Sequence, residues 1–148
     1  MTFSIRLGWL LPVAVAAAGL VGCGSPAPPA AVERLPGKWH GEMIVYEEAV
    51  QGVLPPEKIA ELEQMQMDFE FRADGTMALS GAHQGQAYTT QGQWQMIKQE
   101  GDLLTIQSVE EGGGAKDINI EFDGADTFFV PLQTEVAELG AMRFTRLR

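Results

Sequence analysis

The run Phe69-Glu70-Phe71-Arg72-Ala73-Asp74-Gly75-Thr76-Met77-Ala78-Leu79 reads as a β-hairpin. Phe69 and Phe71 alternate with charged neighbours on the way in, and Met77 and Leu79 resume the alternation on the way out. Between them, Asp74-Gly75 supplies the turn, because glycine takes a positive φ that a Cβ would forbid. One face of each arm is apolar and the other polar, as a sheet with one buried side requires.

The same period of two extends in both directions. Upstream, Trp39, Gly41, Met43 and Val45 alternate with His40 and Glu42. Downstream, Ser80 to Gln86, with Gly81 and Gly85, is expected to be a loop, and Tyr88 to Lys98 a long strand in which Gly92 marks a bulge or bend. Glu100-Gly101-Asp102 turns the chain into Leu103–Val109, and Gly112-Gly113-Gly114 forms a loop. Ile118, Ile120 and Phe122 then alternate, Asp123 to Asp126 turns, and Phe128, Val130 and Leu132 follow. After a short loop or turn around Val136 to Gly140, Met142 and Phe144 close the chain.

About eight strands joined mostly by short turns predict an all-β, antiparallel, up-and-down sheet. An open meander leaves two exposed edges that closure into a barrel removes. Eight strands is also the size at which a barrel holds either its own side chains or one small ligand. On this phase the interior receives Met43, Phe69, Phe71, Met77, Trp94, Met96, Ile106, Ile120, Phe122, Phe128 and Met142. The candidate ligand pocket is Met43, Phe69, Phe71, Met77, Trp94, Met96, Phe122 and Phe128. Methionine suits an adaptable pocket and a packed core equally well, so a hollow and a filled barrel both stand open.

Pro55 to Met65 departs from the strand pattern and has helical composition. Pro56 suits a first helical position, Glu57 suits the positive end of the helix dipole, and Ile59 and Leu62 share a face. A short helix is therefore expected between the first two strands, lying across the barrel or closing one end, with Glu47 to Gln51 adding a further turn.

The length of 148 residues fits one folded domain. Composition sets Lys+Arg 10 against Asp+Glu 20, and Arg6 is the one charged residue before Cys23, so 10 − 1 = 9 basic residues face all 20 acidic ones beyond it. A body this acidic repels phosphate backbones, which excludes nucleic acid as a partner. It also repels anionic lipid head groups, so membrane attachment would need a covalent lipid. One cysteine excludes an internal disulfide framework and a paired-cysteine zinc site.

Met1 to Arg6 is a short segment with one positive charge, and Leu7 to Leu20 is almost wholly apolar but too short for a typical spanning helix. It ends in Leu20-Val21-Gly22-Cys23, which resembles the lipobox of bacterial lipoproteins. The resemblance implies that residues 1–22 are a signal peptide cleaved after Gly22. It further implies that the Cys23 thiol carries a diacylglycerol, with acylation of the new amine possible. The protein would then be exported and lipid-anchored to a bacterial membrane. Gly24, where aspartate would signal inner-membrane retention, points to the outer membrane in a Gram-negative cell. Gly24 to Arg34, with Pro26, Pro28 and Pro29 among alanines, reads as an extended tether, so 23–34 is expected as anchor and linker and 35–148 as the folded domain.

Gly37-Lys38-Trp39 is similar to the opening of lipocalin-like domains, and Phe71 to Thr76, Gly92-Gln93-Trp94 and Phe144-Thr145-Arg146 follow the rhythm of such domains in small bacterial lipoproteins. The resemblance spans residues 35–148. It implies that Trp39 plugs one end of the barrel against an arginine of the last strand, Arg146, with Arg143 and Arg148 as alternatives. The helical insertion is similar to the lid of intracellular fatty-acid carriers, though shorter.

No catalytic constellation emerges. His40 and His83 lack ligand spacing, and no HExxH or GxSxG motif occurs. The acidic pairs Glu47-Glu48 and Glu110-Glu111 and the turn Asp123-Gly124-Ala125-Asp126 lack the spacing of a calcium loop. Neither a metal nor a cofactor is implied. Two non-enzymatic readings follow: a membrane-anchored carrier or sensor of a small apolar ligand, or a filled barrel that contacts an envelope protein through its acidic surface.

Overall fold

A computed structural model of the chain describes residues 29–83, 85–133 and 138–148, leaving aside the side chain of His83. The order is α1 (Ala31–Arg34), β1 (Gly37–Val45), α2 (Glu47–Val50), α3 (Pro56–Glu63), β2 (Gln66–Phe71), β3 (Thr76–His83), β4 (Gln86–Glu100), β5 (Leu103–Glu110), β6 (Ala115–Phe122), β7 (Thr127–Gln133) and β8 (Glu138–Arg146). The eight strands pair in sequence order, and β8 returns to pair with β1, so the barrel is closed. Every neighbouring pair is antiparallel.

Two ends follow from this path. The turns at Arg72–Gly75, Gly101–Asp102 and Asp123–Asp126 lie at the closed end, together with α1. The helices α2 and α3 and the other hairpins lie at the open end. Gly75 has φ 85° in the β2–β3 turn, as the Asp-Gly signal predicts. Thr76 donates to Asp74 Oδ1 from its backbone nitrogen at 2.9 Å and its hydroxyl at 2.7 Å.

The core fills the closed half. Trp39, Phe71, Met77, Leu104, Ile106, Ile120, Phe122, Phe128, Met142 and Phe144 are all buried in one cluster with Ala31 and Leu35. The rings interlock: Trp39 meets Phe128 edge-on at 4.6 Å, and Phe128 stacks on Phe144 at 4.7 Å. Such pairs favour these offset and edge geometries over a flat sandwich.

Three features differ from the sequence reading. The tether was expected to run to Arg34, but Ala31 and Arg34 are already buried. Alanine at the first helical position and Leu35 after the helix fit the closed end of the barrel, so the packed part starts earlier. The expected loop at Ser80–Gln86 is largely strand, because β3 continues to His83 and β4 begins at Gln86. Gly92 sits within an unbroken ladder, and the bulge falls between Met96 and Lys98 instead. The helix occupies Pro56–Glu63, within the expected span, and α2 is the expected extra turn. The turn expected near Val136 lies partly outside the described residues.

One seam is thin. Among the described residues, β6 and β7 share only two register pairs, Glu121↔Phe129 and Phe122↔Phe128. Asp123 N donates to Thr127 O across this seam at 3.0 Å. Backbone groups alternate along a strand, so Phe129 and Pro131 present their nitrogens on the same side. Pro131 has no N–H to offer β6, and the ladder ends there.

Candidate functional site

The closed end is built around Trp39. Its Nε1 donates to Leu35 O at 2.8 Å, which satisfies the one polar atom of a fully buried ring. The guanidinium of Arg146 lies 4.1 Å over the indole. Arg146 also donates to Asp126 Oδ1 at 3.2 Å, Pro36 O at 3.0 Å and Arg34 O at 2.5 Å. Gly37 has φ 143°, and a Cβ there would run into Arg146 Nη1. The glycine of the Gly-x-Trp motif is thus the space the arginine occupies. Of the alternatives, Arg143 instead pairs with Glu42 at 3.0 Å and Arg148 with Asp126 at 3.1 Å. This end is a structural plug, with Arg34 adding a second cation 4.6 Å over Phe122.

The space lies at the other end. A cleft of about 560 Å³ separates α3 from the barrel mouth. Leu54, Leu62 and Met65 contribute from the helical side, and Ala82, Leu132 and Leu139 from strand ends. Lys58, Glu61 and Gln64 form its polar margin. Lys58 Nζ donates to Glu61 Oε2 at 2.5 Å, and this contact raises the ammonium's pKa above its ordinary value. The volume is within the range of sites that take a small molecule, and an apolar lining with few polar groups is their usual character.

Local sequence explains why α3 spans the mouth. Pro56 starts the helix where no N–H partner is needed, and Glu57 sits in its first turn. No residue of α3 is fully buried, although Ile59 and Leu62 are half-buried on its inner face. The helix rests on the barrel with an unfilled gap beneath, and Met65 O accepts from Met43 N at 3.3 Å where the chain re-enters the wall.

The eight residues expected to line a pocket are elsewhere. Phe71, Met77, Phe122 and Phe128 are buried in the filled core, and Met43, Phe69 and Trp94 pack against it half-buried. Phe69 stacks on Phe71 at 5.1 Å, and Trp94 meets Phe71 edge-on at 5.9 Å while donating to Arg72 O at 3.1 Å. Met96 is 48 % exposed rather than enclosed. β4 runs past the start of β3, where Thr76 faces Gln93, so Met96 has a strand neighbour only on the β5 side. None of the eight lines the cleft. Period-two alternation identifies inward residues but not which layer of the barrel they fill. The cleft residues come from helix, linker and strand ends, where that period lapses.

On the outer wall, the register sets His40 beside Asp68, and their side chains meet at 2.7 Å. Glu42 lies 3.9 Å from the other ring nitrogen. Their separation in sequence hides this pairing, and strand register alone produces it. Among the described residues no group of three or more His, Cys, Asp or Glu converges as a metal site. Asp126 is engaged by Arg146 and Arg148. Cys23, the expected lipidation site, lies outside the described residues.

No family model matches the chain, and no curated protein does. Among solved structures, a redesigned beta barrel aligns with a TM-score of 0.49 at 15 % identity, over 82 % of this chain and 98 % of that one. The fold assignment rests on the strand pairing of this chain itself.

Proposed function

We propose that the protein is a membrane-anchored lipoprotein whose barrel holds a small apolar ligand beneath α3, as a carrier or sensor. The observation that carries the ligand is the cleft of about 560 Å³ with its leucine-rich lining. The anchor rests on Leu20-Val21-Gly22-Cys23 and on the acidic composition, whose excess of carboxylates gives the body no net attraction to anionic lipid. Chemistry is not assigned to the site, since the cleft margin offers Lys58 and Glu61 engaged with each other and no nucleophile–base pair.

Native mass spectrometry of the barrel, purified from cells without detergent, tests the ligand. The expected spectrum carries a reproducible small-molecule adduct that disappears in Leu62→Glu while the fold is retained. An adduct that survives Leu62→Glu and Leu132→Glu alike would place binding elsewhere and sink this reading.

A further inference from the structure

The closed end of the barrel differs from the open end in apolar exposure, in charge and in where the chain enters. Met96, Ile97, Leu103 and Leu147 are 48, 51, 53 and 49 % exposed; Met96 and Ile97 lie in the last part of β4, Leu103 opens β5 and Leu147 follows β8, all toward the closed end. Among the described residues the other large exposed apolar side chains, Tyr46, Val53 and Val109, are on separate segments toward the open end.

Charge divides the same way. In the closed half six cations, Arg34, Lys38, Arg72, Lys98, Arg146 and Arg148, stand against eight carboxylates, at positions 33, 70, 74, 100, 102, 121, 123 and 126, and Lys98 meets Glu100 at 2.9 Å while Arg34 pairs with Asp102. The other half keeps only Lys58, Lys116 and Arg143 among the described residues. Against these it sets Glu47 and Glu48 on α2, Glu57, Glu61 and Glu63 on α3, and Glu110 and Glu111 beyond β5. Anionic head groups therefore repel the open end far more strongly than the closed end.

The chain enters at the closed end. Val32 N donates to Gln99 Oε1 at 3.1 Å, and Arg34 Nη1 donates to Gly124 O at 2.8 Å. Pro29 is the first described residue, and the six Cα–Cα steps back to Cys23 span at most about 22 Å even fully extended. An acyl group on Cys23 would thus hold the β4–β5 hairpin close to the bilayer.

We propose that the closed end is a membrane-contact surface: Ile97, Leu103 and Leu147 sit in the head-group region of the bilayer that anchors the protein. The mouth under α3 consequently faces away from that bilayer. This inference rests on the lipid-anchor reading. Its functional consequence is that the cleft exchanges ligand with the aqueous space or with a facing partner, rather than with the leaflet that holds the anchor.

The test uses the full lipidated protein in vesicles of phosphatidylethanolamine and phosphatidylglycerol. An environment-sensitive fluorophore is attached to Leu103→Cys, Leu147→Cys or Val53→Cys, all at exposed positions, and nitroxide-bearing lipid serves as quencher. The expected result is strong loss of fluorescence at 103 and 147 and little at 53, in protein that floats with the vesicles. Equal quenching at all three sites, or stronger quenching at 53, in floating protein would overturn the membrane-contact surface and leave the anchor standing. Protein that fails to float, or a Cys23→Ser variant that floats as well as the parent, would overturn the anchor reading and this inference with it.

Discussion

Arg146 joins three stretches far apart in sequence: the carbonyls of Arg34 and Pro36, the carboxylate of Asp126 and the face of Trp39. Only a planar guanidinium can bond in several directions while lying flat on an indole. Replacing it with lysine keeps the charge but strands carbonyls, and Arg146→Lys is expected to lower stability by about 2 kcal/mol in urea titration. Gly37→Ala should mimic that loss, because φ 143° and the Arg146 contact both exclude a Cβ. If either variant unfolds at the parental urea midpoint, the clamp is not what closes this end. Asp74 carries a second residue-scale prediction. Hydrogen bonds from the Thr76 hydroxyl, then from the Thr76 backbone, hold its carboxyl below the usual carboxylate range. A folded pKa below the unfolded one contributes stability that is present above the unfolded value and is lost as pH falls through the folded one. In Thr76→Val the Asp74 carboxyl, followed by NMR, should titrate at a higher pH than in the parent. The hairpin turn and the Trp–Arg pair were both legible in the sequence, because each depends on a local motif or a resemblance. The His40–Asp68 contact was not, because it exists only once β1 and β2 are in register.

At the scale of elements, Pro131 shapes the seam between β6 and β7. Phe122 N donates to Asp102 O on the β5 side at 3.0 Å, so Ile118 and Ile120 point their amides to β5 as well. Asp117 and Asn119 point theirs to the seam, where the described ladder has ended. Hydrogen exchange should therefore alternate, fast at 117 and 119 and slow at 118 and 120; uniform protection would show that the seam is closed. The sequence held the signal, since a proline inside a strand marks an edge, but the alternation of Phe128, Val130 and Leu132 masked it. α3 was readable from its proline and periodicity, whereas α1 was not: four residues beside prolines look like a tether until the barrel end supplies their packing partners. α3 buries no residue fully, so its amides are expected to exchange faster than those of β5, which buries Leu104, Ile106 and Ser108.

For the whole molecule, closure and filling are separate outcomes of one pattern. Eight alternating strands sufficed to foresee the barrel, because an up-and-down sheet of that size removes its edges by closing. Alternation could not say where the volume would go. Large rings concentrated near the closed end pack it solid, and the smaller or flexible residues at the mouth leave the cleft below α3. Phe71, Met77, Phe122 and Phe128 consequently became core, Met43, Phe69 and Trp94 pack against it, and Met96 stays exposed; the two ends of the molecule differ in charge, with cations concentrated at the base and carboxylates at the rim. Under the proposed carrier reading, the ligand sits in that cleft. Its direct test is a titration of the barrel with N-phenyl-1-naphthylamine, an uncharged apolar probe that brightens when removed from water. The account predicts saturable one-to-one binding that Leu62→Glu abolishes and Met96→Glu, where β4 overhangs β3 at the other end, leaves intact. Absence of saturable binding, or loss of it in both variants without unfolding, would contradict a ligand site under α3.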